Sequence, residues 1–169
     1  TVTANGGNDF VTVSGSLVSS TVFGGAGNDT LAFSSAGGIT GGVVYADLGN
    51  DLIAGSVNSA TVYGDNANGG GNDTLNLTAT SVYAKAGQGS DSFGGLWSSS
   101  TLYGGQGNDT FAVAGATASR IYLDNGDDFF SGTGIQLGGN TISGGSGNDT
   151  ISLAPTAAVT VVGGSGADS

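Results

Sequence analysis

The 169-residue sequence has no cysteine, no methionine, no histidine and a single proline. All 13 of its acids are aspartate, against one lysine and one arginine, for a formal charge of −11. Each absence excludes something. Without cysteine or histidine there is no thiol nucleophile, no imidazole base, no disulfide framework and no zinc site of the usual kind. The acidic balance argues against a nucleic-acid partner. No run of 18 apolar residues occurs, so the sequence predicts no membrane span. Stretches rich in Lys, Glu, Ala or Leu are missing, which disfavours a helical fold. The first residues carry no secretory-signal pattern. Lack of cysteine is compatible with an extracellular bacterial protein.

What is abundant is glycine, at 35 positions, about three times average usage. The order of the residues shows a repeat. Nine aspartates, Asp9, Asp29, Asp51, Asp73, Asp91, Asp109, Asp128, Asp149 and Asp168, recur at intervals of 18 to 22 residues. A period near 20 implies a solenoid whose turns bury their apolar faces only against one another. Seven positions before most anchors stands an apolar residue (Val2, Val22, Val44, Leu102, Ile121, Ile142, Val161). Two positions after the anchors stands another (Val11, Leu31, Ile53, Leu75, Phe93, Phe111, Phe130, Ile151). Two short strands of period-2 alternation therefore flank a Gly-rich acidic corner. A second corner carries no regular acid. Its apolar filler is expected at Leu17, Ile39, Val57, Leu77, Trp97 and Leu137. The expected fold is all-β, a parallel β-solenoid of about eight to nine turns forming one domain over residues 1–169. Insertions into the corner are expected at Asn66–Gly69 and at Ala84-Lys85, since loops absorb bulges that core strands do not.

Three corners read Gly24-Gly25-Ala26-Gly27-Asn28-Asp29, Gly104-Gly105-Gln106-Gly107-Asn108-Asp109 and Gly144-Gly145-Ser146-Gly147-Asn148-Asp149. With the residues that follow they match Gly-Gly-x-Gly-x-Asp-x-U-x, and Gly163-Gly164-Ser165-Gly166-Ala167-Asp168 matches up to its last residues. The corners of Asp9, Asp51 and Asp128 are degenerate forms, with Ala46-Asp47-Leu48-Gly49 and Leu123-Asp124-Asn125-Gly126 leading into the last two. The chain resembles the RTX repeat proteins, whose motif marks a calcium-binding parallel β-solenoid. Aspartate and glycine suit that chemistry. Calcium takes six to eight oxygens from carboxylates and carbonyls, and glycine allows the positive φ that turns carbonyls inward.

The resemblance implies Ca2+ between adjacent stacked corners, held by the nine anchor aspartates. The carbonyls of Gly25, Gly27, Gly49, Gly105, Gly107, Gly126, Gly145, Gly147, Gly164 and Gly166 complete the shell, with Asp47 and Asp124 beside them. Nine corners allow at most eight ions. Bare carboxylates stacked at ~4.8 Å repel by ~0.9 kcal/mol even in water. Asp47, Asp65, Asp124 and Asp127 fall in the same corners, so all 13 acids crowd one edge. Aspartate, asparagine and glycine are also ordinary turn formers, and a metal-free coil with asparagine ladders would use them. Unlike the usual two-sided repeat, only alternate loops here carry the acid. The chain is similar to the one-sided calcium-bound segments of giant bacterial ice-binding adhesins.

Just before the corners stand Phe23, Tyr45, Tyr63, Tyr83, Tyr103 and Tyr122, expected as an outward ladder that stabilises the sheet or docks a neighbouring chain or glycan. Thr21, Thr61, Ser81, Thr101, Thr141 and Thr160 are expected as a hydroxyl column beside it, and Thr30, Thr74, Ser92, Thr110 and Thr150 as another. The columns are too irregular for the flat paired rows of an ice-binding face. No local constellation departs from the repeat, so no active site is expected. The sequence starts inside a repeat and stops just after the ninth aspartate, with no capping residues, as a piece of a longer repetitive chain would. The resemblance implies an exported bacterial protein that folds where calcium is millimolar. Its expected role is structural, in an S-layer or other cell-surface assembly with copies of itself or other surface components as partners. An adhesin stalk or ligand-binding segment, and the carrier module of a secreted hydrolase or toxin, are the alternatives.

Overall fold

The computed structural model describes residues 1–35, 38–66, 69–132, 139–154 and 158–169. Short β segments, rich in β-branched and aromatic residues and punctuated by glycine, pair only with their counterparts one turn away. All pairings are parallel. The result is a β-solenoid of about eight turns with a period of about 19 residues. Among the described residues nine strands, including Thr21–Ala26, Val43–Leu48, Thr61–Asp65, Tyr83–Gln88, Thr101–Gln106 and Arg120–Asn125, form one sheet. Ten others, including Thr30–Phe33, Leu52–Asn58, Thr74–Thr80, Ser92–Ser98 and Thr110–Thr117, form the second. The acidic corner leads from the first sheet to the second, and the other corner leads back.

The core is a set of inward columns one residue wide. Val22, Val44, Val62, Ala84, Leu102, Ile121 and Ile142 stack in register from the first sheet and are fully buried. Leu31, Ile53, Leu75, Phe93, Phe111 and Phe130 do the same from the second. Phe93 and Phe111 stack with ring centroids 4.4 Å apart, and Trp97 packs 6.1 Å from Phe93 while its indole N–H donates to the Gly94 carbonyl. Repeating one residue type at one height lets identical shapes interlock, and each buried large side chain contributes roughly 1.5–3 kcal/mol.

Register corrects four expectations. Ala84 lies between Val62 and Leu102, so Ala84-Lys85 is strand and no insertion exists there; a small core residue had disguised an ordinary turn. The corner filler in that turn is Ala79, paired with Val57 and Trp97, while Leu77 packs one column away. Tyr83, not Ser81, holds the place between Thr61 and Thr101, and Lys85 holds the place between Tyr63 and Tyr103. The tyrosine ring still reaches the ladder, 6.2 Å from Tyr63 and 5.4 Å from Tyr103, tilted against both. The other rings stack nearly face to face at 4.8 to 5.2 Å. The insertion before Asp73 stands, since Val62 precedes that anchor by 11 positions instead of seven; its Ala67 and Asn68 lie outside the described residues, as does Leu137.

The second corner turns on one left-handed residue per turn: Ser19, Gly41, Ser59, Ser81, Ser99, Ala118 and Gly139, with φ between 45° and 73°. Behind it Ser100, Ser119 and Asn140 form a buried, satisfied ladder. The Val82 N–H donates to Ser100, that of Ser100 to Ser119, and that of Ser119 to Asn140. Nothing in this corner asks for a charge.

Candidate metal centre

The nine anchor aspartates form one column along the other edge. Each backbone N–H donates to Oδ1 of the anchor in the next turn. The chain of bonds runs from Asp9 to Asp29, Asp51, Asp73, Asp91, Asp109, Asp128, Asp149 and Asp168, with lengths of 2.7 to 3.1 Å. A parallel ladder runs one residue earlier. There the N–H of Asn28, Asn50, Asn72, Ser90, Asp127, Asn148 and Ala167 meets the side-chain Oδ1 of the preceding turn. The turn-forming and acidic roles of these residues thus coexist, because half of each anchor carboxylate serves the backbone.

The other half serves nothing. Oδ2 of Asp29, Asp51, Asp73, Asp91, Asp109, Asp128 and Asp149 is buried without a hydrogen-bond partner, and these residues are only 1–3% exposed. An ionised carboxylate in that position is costly. Burial pushes the Asp73 carboxyl up to about 8 and that of Asp109 to about 7, although the N–H from the preceding turn pulls the other way. Asp51, Asp91 and Asp128 are pushed up to about 6 by the same balance. Neighbouring aspartates in the column add to the rise at Asp73, Asp109 and Asp128.

Glycine positions explain where Oδ2 points. Five residues before the anchor, or nine at Asp73 where the insertion intervenes, the column reads Ala4, Gly24, Ala46, Gly64, Ala86, Gly104, Leu123, Gly144 and Gly163. A Cβ on Gly24 would lie 2.8 Å from Asp29 Oδ2 and 2.6 Å from the Ala46 carbonyl oxygen. A Cβ on Gly64 would strike Asp73 Oδ2 and the Ala86 carbonyl. On Gly104 it would strike Asp109 Oδ2 and the Leu123 carbonyl, and on Gly144 Asp149 Oδ2 and the Gly163 carbonyl. In these turns a carboxylate oxygen and a carbonyl oxygen of the next turn share the hollow that the missing side chain leaves. In the intervening turns the side chains of Ala46, Ala86 and Leu123 fill the corner and are fully buried.

The glycine two residues before each anchor has a different cause. Gly27, Gly49, Gly107, Gly126, Gly147 and Gly166 take φ from 113° to 137° or, for Gly126, 144°. A Cβ there would collide with the carbonyl of the same position one turn earlier. Gly25, Gly105, Gly145 and Gly164, four residues before the anchor, are also left-handed and face the preceding turn's backbone in the same way. Asp47 and Asp124 occupy that column with φ of 82° and 76°, a conformation disfavoured for a residue with a side chain. They stand on the outer side of the corner, within electrostatic reach of Asp51 and of Asp109 and Asp128 respectively. Asp65, paired with Asp47, belongs to the same column. Its Oδ2 accepts from the Gln88 N–H at 2.7 Å and its Oδ1 is buried without a partner.

Among the described residues no three acidic side chains gather closely enough to hold a metal by themselves. Any ion here takes backbone carbonyls as well, as hard cations do. The donor set is entirely oxygen and buried carboxylate oxygens go unmet, so the corners fit a calcium-type ion. Sequence reading placed Asp65 in the acidic corners without naming it a ligand, and missed the carbonyls of Ala46, Ala86 and Leu123. The alternation of glycine with alanine or leucine was the available signal for the carbonyls.

Residues 19–34, 98–113 and 137–153 match the family model of the RTX calcium-binding nonapeptide repeat (4 copies). The matched segments contain Asp29, Asp109 and Asp149, three of the anchors whose corner opens on glycine. No curated protein and no solved structure matches the chain.

Proposed function

We propose that this chain, whose matched repeats and parallel β-solenoid fit an RTX-repeat protein, is a structural segment of a secreted bacterial cell-surface protein that folds on binding calcium. RTX repeats bind calcium, and the solenoid that carries them is a structural calcium-binding fold. The observation that carries the reading is the row of buried, unpartnered Oδ2 atoms. A buried carboxylate oxygen needs a proton or a cation, and extracellular modules with weak sites fold where calcium is plentiful.

The ligands would be the anchor aspartates together with corner carbonyls. Four places bring Oδ2 against the next turn's carbonyl: Asp29 with Ala46, Asp73 with Ala86, Asp109 with Leu123 and Asp149 with Gly163. Filled corners separate them. Ions at these four alternate interfaces, in place of the eight that nine corners allow, would reduce the formal −11 to −3 and leave the coil soluble. Outward Leu52 and Phe129, which interrupt a column of Thr30, Thr74, Ser92 and Thr110, support contact with copies of the chain in an S-layer-like array.

Elemental analysis after equilibrium dialysis against calcium tests the count, and circular dichroism with and without chelator tests the coupling. About four bound ions and loss of strand signal on chelation are expected. Eight ions would overturn the alternation; no ions and an unchanged spectrum would overturn the calcium reading itself.

A further inference from the structure

A groove of about 670 Å³ runs across the outer face of the first sheet where it enters the acidic corner, and no anchor aspartate lines it. Its origin lies in the register. One column of the register reads Asp65, Gly87, Gly105, Asp124 over successive turns. Gly87 and Gly105 give a floor with no side chains between the two aspartates, and the groove continues past Asp124 to Gly145 and Ser146. Three strand spacings separate the two aspartates, roughly 14 Å. Along one side stand Tyr63 and Lys85, where the face-to-face aromatic stack is interrupted and Tyr83 leans in at a tilt. Along the other stand Gln88 and Gln106, both exposed, whose side-chain amides make no hydrogen bond with the described residues.

The lining selects its ligand. Carboxylates, amides and one ammonium rule out a lipid tail, and a groove holding two aspartates on a chain of charge −11 repels polyanions. An extended peptide has no backbone to pair with, because the strands beneath are bonded on both sides. What remains is a ligand with many hydroxyls and flat C–H faces. Its hydroxyls donate to Asp124 and accept from Lys85, Gln88 and Gln106, while its apolar faces pack on the tyrosine rings. We propose that this groove binds a neutral oligosaccharide of about three pyranose units, one for each strand spacing crossed. None of the residues it uses is an anchor aspartate, but Gly105 and Asp124 border the corner proposed to hold calcium, so the calcium content is measured alongside.

The test uses the whole calcium-loaded chain and a panel of neutral trisaccharides: cellotriose, maltotriose, laminaritriose and mannotriose. Nuclear magnetic resonance titration follows the side-chain amides of Gln88 and Gln106. At least one sugar is expected to shift both, with a dissociation constant of about 1 mM or tighter. Lys85→Met, which keeps the aliphatic stem, and separately Gln106→Ala should each weaken binding about tenfold, the scale of one lost polar contact, with the dichroism spectrum unchanged. Shifts that map away from the groove, a response to charged glycans or peptides alone, or no response to any of the four sugars at about 10 mM would overturn the proposal. An unaltered calcium stoichiometry in the same samples separates that failure from failure of the calcium reading.

Discussion

Taking calcium away at different pH values puts the buried carboxylates to a direct test. In the metal-free coil Asp73 has its carboxyl raised from 3.8 to about 8. A folded-state value above the unfolded one means that the native coil holds the proton more tightly. Its contribution to stability is complete below about pH 4 and disappears as the pH rises through about 8. At about 1.4 kcal/mol per pH unit the ionised form forgoes about 5 kcal/mol at this one residue, comparable with the whole stability of many domains. Half of that, after solvent screening, still corresponds to about 5–10 °C in melting temperature for a chain of this size. Asp109, Asp51, Asp91 and Asp128 act in the same direction. Metal-free protein should therefore melt at a higher temperature at pH 4.5 than at pH 8. Millimolar calcium should reverse the order, since calcium and protons compete for the same Oδ2 atoms. Dichroism melts on metal-stripped protein across that range provide the measurement. A metal-free melting temperature that is flat or climbs with pH would refute the argument that these oxygens need a partner.

The remaining predictions concern single residues. Asp73→Asn keeps Oδ1 for the Asp51 N–H and puts an amide donor where Oδ2 meets the Ala86 carbonyl; metal-free stability at pH 8 should rise by about 1–3 kcal/mol while bound calcium falls by one ion. Gly104→Ala drives a methyl into Asp109 Oδ2 and the Leu123 carbonyl and should cost about 1–3 kcal/mol and one ion. The reverse change at a filled corner, Ala86→Gly, should cost only about 0.5–1 kcal/mol with the ion count preserved. Phe111→Ala removes a fully buried ring stacked on Phe93 and should cost about 3–5 kcal/mol in urea melts, at low and high calcium alike.

Much of this architecture is written in the spacing of its aspartates. The inward columns, the one acidic edge, the outward rings and the left-handed glycines all follow from a repeat in which each position has one environment. Reading failed where a residue of unremarkable type held a column position. Ala84 is too small to mark a core site by hydropathy, so its turn looked like an insertion and the neighbouring Tyr83, Lys85 and Leu77 were misplaced by two residues. The ladder hydrogen bonds were not legible either, because composition does not tell which oxygen of a carboxylate faces a backbone amide. The pairing of Oδ2 with a carbonyl of the next turn depends on inter-turn packing, and only the glycine–alanine alternation hints at it.

The aspartate ladder also gives the rod a direction. In the aspartate ladder every amide points its hydrogen toward the turn that follows, never toward the one before. At the anchor position one face of any turn thus presents an N–H and the opposite face a carboxylate, and one residue earlier the order is reversed. Two such rods meeting head to tail would continue both ladders, each exposed amide finding the oxygen that one more turn would have offered.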